Sequence, residues 1–231
     1  LTGRPPTDEV VRAFVKDEAP SRARRERLID ELIGGAAFVE HWANKWADLL
    51  QCQTRTLGDK GVWVFRRWLS QSVAANKPYD DFVMELITTG GSTYRSAASN
   101  YLRAVSDKGQ KPDPGKLTED IAQTFLGVRF NCNKCHNHPF ERWTQDQYYE
   151  FSAHFARVRF KNGTAPGEKV VYESYDGGET VHPRTSRVMA PKVPLAESLV
   201  PISTNGRLES LAGWLTSKEN PLFARSYVNR V

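Results

Sequence analysis

Residues 36–53 read AAFVEHWANKWADLLQCQ, and the interpretation of the whole chain starts from this stretch. Its large apolar side chains recur three or four positions apart, at Val39, Trp42, Trp46, Leu49 and Leu50. This spacing places them on one face of an α-helix. Trp63 and Trp68 recur in a similar way farther along. Tryptophans at helical spacing belong to a protein core far more often than to a sugar- or base-stacking surface. The stretch therefore predicts a helix packed inside a helical domain.

The segments on either side of this helix carry the same signals. Thr7 is the expected N-cap of a first helix, and Ser21 opens a second helix that ends at Gly34 and Gly35. Further helices are predicted over residues 62–75, 79–88, 92–105, 118–128 with Thr118 as its cap, 144–158 with Thr144 as its cap, and 208–215. Residues 106–116 are rich in Lys, Gly, Pro and Asp, which predicts a loop.

The sequence changes character after residue 165. Residues 169–174 (KVVYES) and 179–184 (ETVHPR) are typical of strands, and the Tyr-Asp-Gly-Gly between them suits a hairpin turn. Residues 186–206 contain three prolines and few periodic apolar positions, which predicts an extended linker. The predicted fold class is therefore mainly α, a multi-helix domain with a small β-hairpin after residue 165 and an extended C-terminal linker.

Composition excludes several classes of protein. The 231 residues include 32 Lys and Arg against 27 Asp and Glu, and these charges are well mixed, so no nucleic-acid partner is predicted from the net charge of +5. No run of 18 apolar residues is present, so no membrane span is predicted. The polar opening LTGRPP does not have the pattern of a signal peptide. Three cysteines are too few for a scaffold built from disulfides.

Two of the three cysteines lie together in residues 132–136, which read CNKCH. This CxxCH pattern is the attachment signature of c-type haem. Two thiols three residues apart can each form a thioether with one haem vinyl group, and the adjacent His136 can present its imidazole to the iron. CxxC also occurs in zinc sites and redox dithiols, so the pentapeptide by itself leaves these chemistries open.

The wider run CNKCHNHPF at residues 132–140 resembles the planctomycete cytochrome c-like domains of large secreted bacterial proteins, which are named for a CxxCHxHPF motif. Other segments resemble the same family, namely LTGRPPTDEVVRAFV, VEHWANKWADLL, NKPYDDFVMELI, HPRTSRVMAPKVP and LAGWLTSKENPLFARSYVNRV. The resemblance therefore covers nearly the whole chain. It implies haem attached to Cys132 and Cys135, with His136 as the proximal ligand and His138 as a fourth motif position.

The resemblance also implies that the chain is a segment of a longer polypeptide. We expect a helical cytochrome c-like domain over residues 1–160, a hairpin and extended linker over residues 161–206, and the start of a following domain over residues 207–231. The expected partners are the other domains of the same polypeptide and a redox partner protein. The expected location is periplasmic or extracellular.

A second axial ligand for the iron would come from elsewhere in the chain. Met189 lies in the Pro-flanked stretch VMAPKVP, which mimics the distal methionine of small electron-transfer cytochromes, but a linker methionine packed in a surface groove is the alternative. His154 lies at the edge of an apolar helix stripe, and its alternative is a hydrogen-bonded histidine at the core boundary. His182 is expected to cap or brace the hairpin. Cys52 has no partner and is expected to be a free, buried thiol outside the site.

Zinc is the second interpretation of the motif. Cys132, Cys135, His136 and His138 supply two thiolates and two imidazoles, which suit tetrahedral zinc, although four ligands within seven residues strain a tetrahedron. A disulfide between the two cysteines is the third. No nucleophile is paired with a base, and no GxSxG or HExxH motif is present. An enzymatic role in polysaccharide processing would rest only on the proteins that carry such domains, so this interpretation ranks last.

The sequence thus predicts an extracytoplasmic c-type cytochrome-like module that binds haem c covalently. Its role would be electron transfer or redox sensing within a larger secreted protein. The alternative is a structural or interaction module whose CxxCHxH loop binds zinc or is closed by a disulfide.

Overall fold

A computed structural model describes residues 1–194 and 206–230. The helices in these ranges are α1 (Asp8–Lys16), α2 (Ser21–Leu32), α3 (Ala36–Leu49), α4 (Thr54–Ala74), α5 (Tyr79–Thr88), α6 (Asn100–Ala104), α7 (Pro114–Ile121), α8 (Gln145–Ser152), α9 (Arg207–Leu215) and α10 (Phe223–Val228). The strands are β1 (Gly91–Ser92), β2 (Val158–Asn162), β3 (Lys169–Glu173), β4 (Thr180–Val181) and β5 (Val188–Met189). The predicted fold class, mainly α with a small antiparallel β component, is confirmed. The middle of the predicted linker, residues 195–205, lies outside the described residues.

The helix starts follow the capping chemistry of the sequence. The Thr7 side chain accepts a hydrogen bond from the backbone N–H of Val10, and Thr144 forms a reciprocal capping box with Gln147. The predicted start at Thr118 is wrong, because Asp113 caps α7 and Pro114 occupies its first position. The predicted helix over residues 92–105 is also wrong in its first half. That half contains β1 and a 3₁₀ turn before α6 begins.

The strand pairing differs from the predicted hairpin. β3 pairs antiparallel with β2 and β1, in the order β1-β3-β2, and β4 pairs antiparallel with β5. Residues 169–174 and 179–184 are therefore not partners. Val158 and Phe160 of β2 lie two positions apart, so both side chains are on the face of the sheet that packs on the core. The chain then turns back to β3 over residues 163–168. Residues 177 and 178, both Gly with φ near +110°, lead the chain away from β3 toward a separate hairpin.

The core joins the helices to the sheet. Phe82 of α5 lies against Trp46 of α3 and Trp68 of α4, with ring centroids 5.1 Å and 5.0 Å away. These two tryptophans are half-buried and pack on the core as predicted. The expectation for Trp63 is wrong, since 60% of its surface is exposed. The buried face of α4 instead follows Gly61, Phe65 and Leu69, four positions apart.

The last two helices pack on the same core as α3, α4 and α5. Leu208, Leu211 and Leu215 of α9 are buried, and Phe223 of α10 stacks on Tyr79 of α5 with 4.8 Å between ring centroids. Residues 206–230 therefore contribute to the hydrophobic core of the helical domain. Across the described part of the chain, no helix combines the length and apolar character needed to cross a membrane.

Candidate haem-attachment loop

The motif loop, residues 131–143, is anchored at both ends by aromatic side chains in the core. Phe130 is fully buried just before the loop, and Trp143 is buried at its end. Their rings meet edge to face, with centroids 5.6 Å apart, and Phe130 also contacts Phe151 of α8 at 5.9 Å. Between the anchors, residues 131–134 form one 3₁₀ turn that carries the first cysteine. The loop therefore projects from the core on two fixed points.

Polar contacts hold the loop closed between these anchors. The side chain of Asn133 is completely buried and donates a hydrogen bond to the Trp143 carbonyl over 2.6 Å. The same carbonyl accepts a second bond from the backbone N–H of His138 over 2.8 Å. Because one carbonyl ties down a residue inside the CNKCH stretch and a residue just after it, the loop has a defined shape supplied by the protein itself.

Residues of helix α8 form hydrogen bonds to the loop. The backbone N–H of Gln145 donates to the Asn137 side chain over 2.9 Å, and the Gln145 side chain donates to the Lys134 carbonyl over 3.1 Å. The Tyr149 hydroxyl donates to the same carbonyl over 2.9 Å. The roles of Asn133, Gln145 and Tyr149 were not predicted. The only signal in the sequence was the density of amide side chains around the cysteines.

Both cysteines of the motif are free thiols on the surface of this loop. Cys132 and Cys135 are exposed, and the backbone N–H groups of Cys135 and His136 both approach the Cys132 carbonyl, at 3.3 Å each. The two sulfur-bearing residues therefore belong to one turn of chain. Thiols placed in this way are open to a reagent or cofactor that approaches from solvent.

The two ring nitrogens of His136 have different roles, with Nδ1 as a hydrogen-bond donor and Nε2 as the remaining acceptor. Its Nδ1 lies 2.7 Å from the carbonyl oxygen of Asn137, and the ring is exposed. A carbonyl only accepts hydrogen bonds, so Nδ1 carries the hydrogen and Nε2 of the neutral ring keeps its lone pair. An imidazole fixed in this tautomer by a backbone carbonyl is the arrangement that metal-ligating histidines use.

In His138 the Nδ1 atom is a hydrogen-bond acceptor, the reverse of its role in His136. Its Nδ1 accepts hydrogen bonds from the backbone N–H groups of Phe140 at 3.3 Å and Glu141 at 3.0 Å. Nδ1 therefore bears no hydrogen, and the ring braces the turn that follows the motif. This turn holds the Phe140 side chain in solvent with 93% of its surface exposed.

The described residues contain no group of three or more His, Cys, Asp or Glu side chains placed to hold a metal ion. The motif's two thiols and two imidazoles thus lie close in sequence without converging on one point. Zinc coordination through Nδ1 of His138 would also break the two backbone contacts that this nitrogen accepts.

Met189 and His154, the two candidates for a second axial ligand, are both buried in the protein. Met189 lies in β5 opposite Thr180 and is 2% exposed. His154 is 1% exposed, its Nδ1 lies 3.1 Å from the Arg207 carbonyl, and burial lowers its pKa to about 4. Both side chains therefore belong to the interior, whereas the thiols and the His136 ring face solvent.

His182 and Cys52 lie where the sequence suggested. His182 is completely buried, and its Nδ1 accepts from the backbone N–H groups of Arg184 and Thr185 at 3.2 and 3.3 Å. It therefore braces a hairpin, as predicted, although that hairpin joins β4 to β5. Cys52 is free, half-buried and packed against the core.

The donor set of the motif loop fits covalent haem by its chemistry. Two unpaired thiols in one turn are followed by an imidazole whose Nδ1 lies against a backbone carbonyl, which leaves Nε2 as the acceptor of the neutral ring. Cavities of about 490 Å³ beside Arg103 and about 430 Å³ beside Trp42 and Trp46 are lined by residues outside the loop. A haem attached to this loop would therefore not lie in either cavity, and groups outside the loop would have to shield it from solvent.

A family model, PSCyt2, described as a protein of unknown function (DUF1549), matches residues 1–160. The matched range contains helices α1 to α8 and the complete CNKCHNHPF run. No curated protein and no solved structure shows significant similarity to the chain.

Proposed function

The chain belongs to the PSCyt2 family, a planctomycete-type domain family of unknown function, and from the chemistry of its motif loop we propose that it is a c-type cytochrome-like module that would carry haem there. The module would act outside the cytoplasm, in the periplasm or beyond it, and would transfer electrons or sense redox state within a larger secreted polypeptide. The single observation that carries this proposal is the pair of exposed thiols followed by a histidine with a free Nε2.

Attachment assigns a distinct role to each motif residue. Cys132 and Cys135 would each hold the haem by a thioether, formed when the S–H bond adds across one vinyl double bond, with sulfur on one carbon and hydrogen on the other. This addition needs no oxidant. His136 would offer the lone pair of Nε2 to the iron, while the Asn137 carbonyl holds its Nδ1–H and so fixes the ring orientation.

The exposed position of the loop favours electron transfer over catalysis. Haem bound here supplies a one-electron iron couple, and a surface site leaves it within reach of a protein partner. Phe140, almost fully exposed beside the motif, adds apolar surface at the place where a partner or another domain of the polypeptide would cover the cofactor. The proposal assigns no catalytic residue.

In this proposal Met189 and His154 remain in the core and do not ligate iron. The His154 ring is held by the Arg207 carbonyl, and moving the ring to the surface would leave this carbonyl without its partner and an apolar cavity in the core.

The alternative is a structural or interaction module whose loop binds zinc or is closed by a disulfide. The shared turn of Cys132 and Cys135 supports this alternative, because it already brings the two residues into local contact. In that module the loop would hold the shape of a docking surface without a redox cofactor.

Intact-mass measurement tests the proposal. The chain is produced in a host with cytochrome c maturation proteins, beside the double variant Cys132→Ser, Cys135→Ser and the matched control Cys52→Ser. We expect a mass gain of one haem and a red product for the wild type and the control, and neither for the double variant. A colourless wild-type protein without added mass would overturn the proposal, and a loss of two hydrogens or a bound zinc would identify the alternative.

A further inference from the structure

A polar cavity lies on the sheet side of the molecule, apart from the motif loop. Its volume is about 490 Å³, and its wall is formed by Arg103 of α6, Gln110 and residues 162–169 between β2 and β3. Volumes of this size accommodate small molecules. The cavity has no part in the function proposed above.

Arg103 brings a buried positive charge to this wall. Only 3% of the residue is exposed, and its guanidinium donates to two backbone carbonyls, from Nε to Gly109 over 3.2 Å and from Nη1 to Gly167 over 3.0 Å. No carboxylate in residues 1–194 and 206–230 forms an ion pair with it. Burial lowers the pKa of Arg103. A buried cation without a counter-ion is costly, so its retention calls for an explanation.

The backbone around Arg103 is shaped to deliver both carbonyls. Gly109 has φ +67°, and a Cβ there would lie 2.0 Å from the Thr56 carbonyl oxygen. Gly167 has φ +75°, and a Cβ there would lie 2.9 Å from the Tyr94 hydroxyl. Glycine suits the positive φ at both positions, and at Gly109 a side chain would also collide with the backbone of Thr56. The two loops therefore hold the guanidinium through Nε and Nη1, which leaves the N–H donors of Nη2 for a ligand.

The carboxylate in the wall is already engaged. Glu168 accepts hydrogen bonds from the Ser92 and Thr164 hydroxyls and from the backbone N–H of Ala165. These bonds, the Ser92 contact foremost, lower its pKa to about 2. Lys169 adds a second cation, whose Nζ donates to the Asn162 side chain over 2.8 Å. The wall thus carries two positive charges and one negative charge that does not pair with Arg103.

We propose that this cavity binds a small molecule through an oxyanion group, a phosphate, sulfate or carboxylate, with Arg103 as the buried anchor and Lys169 as the second cation. A guanidinium presents its N–H groups as a planar fork that matches such oxygens. The anion would supply the counter-charge that the protein lacks at this position.

Titration calorimetry with inorganic phosphate, sulfate and acetate tests this proposal, in chloride buffer at constant ionic strength. We expect at least one of these probes to bind with one-to-one saturation, and the preferred probe shows whether the site takes a tetrahedral or a planar group. Lys169→Glu should weaken that binding by at least about tenfold, since it replaces a charge-assisted contact by repulsion. The Lys169 side chain donates to Asn162 and not to the Gly109 or Gly167 carbonyl that holds Arg103, so the loops around Arg103 should stay in place in this variant.

Two further variants complete the test. Arg25→Gln removes an exposed arginine of α2 and should bind the probes as tightly as the wild type. Arg103→Gln, where it remains folded by circular dichroism, should abolish binding. The proposal is overturned if none of the three anions binds saturably, or if Lys169→Glu and the wild type bind them with equal affinity. Arg103 would then serve only to fasten the Gly109 and Gly167 loops together.

Discussion

Acidification should lower the free energy of unfolding of this protein, because His154 is buried. The ring is almost completely buried beside Phe151, with the centroids of the two rings 6.1 Å apart, and Nδ1 lies against the Arg207 carbonyl. Burial disfavours the charged imidazolium and lowers the pKa from 6.5 to about 4, although backbone hydrogen bonds at Arg207 and Lys192 partly oppose this shift. In the unfolded chain the same ring titrates at its ordinary value.

The expected loss of stability follows from that difference in pKa. Between pH 6.5 and pH 4 the unfolded chain binds a proton that the folded chain does not, so the free energy of unfolding falls as the pH falls. Each pH unit in this window is worth about 1.4 kcal/mol, which gives about 3 kcal/mol over the whole window. Above pH 6.5 the ring is neutral in both states, and the contribution is fully present.

Urea denaturation between pH 7 and pH 4 measures this contribution when the wild type is compared with His154→Gln. Other groups act in the same range: burial raises the pKa of Asp120 and of Glu150, which opposes the trend, so the comparison between variants isolates His154. We expect the wild type to lose about 3 kcal/mol more than the variant. His136→Gln, which changes an exposed ring, is the control and should follow the wild type. Parallel curves for the wild type and His154→Gln would refute the reasoning.

Three further predictions concern the motif loop. Asn133→Ala should lower the free energy of unfolding by about 1–2 kcal/mol, because it removes the buried bond to the Trp143 carbonyl, and a loss below about 0.5 kcal/mol would contradict that role. Iodoacetamide should label Cys132 and Cys135 in the reduced native apoprotein but label Cys52 only after unfolding, since burial raises the pKa of Cys52 to about 11; native labelling of all three thiols would be the contrary result. His138→Ala should preserve a haem mass gain while a chelator leaves the melting temperature unchanged, whereas loss of stability on chelation would favour zinc.

Local sequence signals predicted most of the helices, but they did not predict which strands pair with each other. Helix α5 was predicted over the residues that it occupies, because Pro78 fixes its start and its apolar positions recur at the spacing of an α-helix. The partner of β3 could not be predicted in the same way. Residues 158–162 continue an apolar pattern that also suits a helix, and the choice of strand partner depends on a turn that the pattern does not encode.

The same limit applies to the loop. CNKCH identifies the reactive thiols from sequence alone, because the chemistry depends on residue type and spacing. The support from Asn133 could not be predicted, since a buried amide and an exposed one look alike until the chain that covers them is placed. The tautomer of His136 likewise depends on a carbonyl whose direction only the folded backbone determines.

Peptide mapping by mass spectrometry tests the central claim most directly. The protein is purified from a host with cytochrome c maturation proteins, extracted with acidified organic solvent to remove any non-covalent haem, and digested. We predict that the peptide spanning residues 132–136 carries the mass of one haem on Cys132 and Cys135, while the peptide with Cys52 remains unmodified. An unmodified 132–136 peptide whose two thiols alkylate freely would contradict the account.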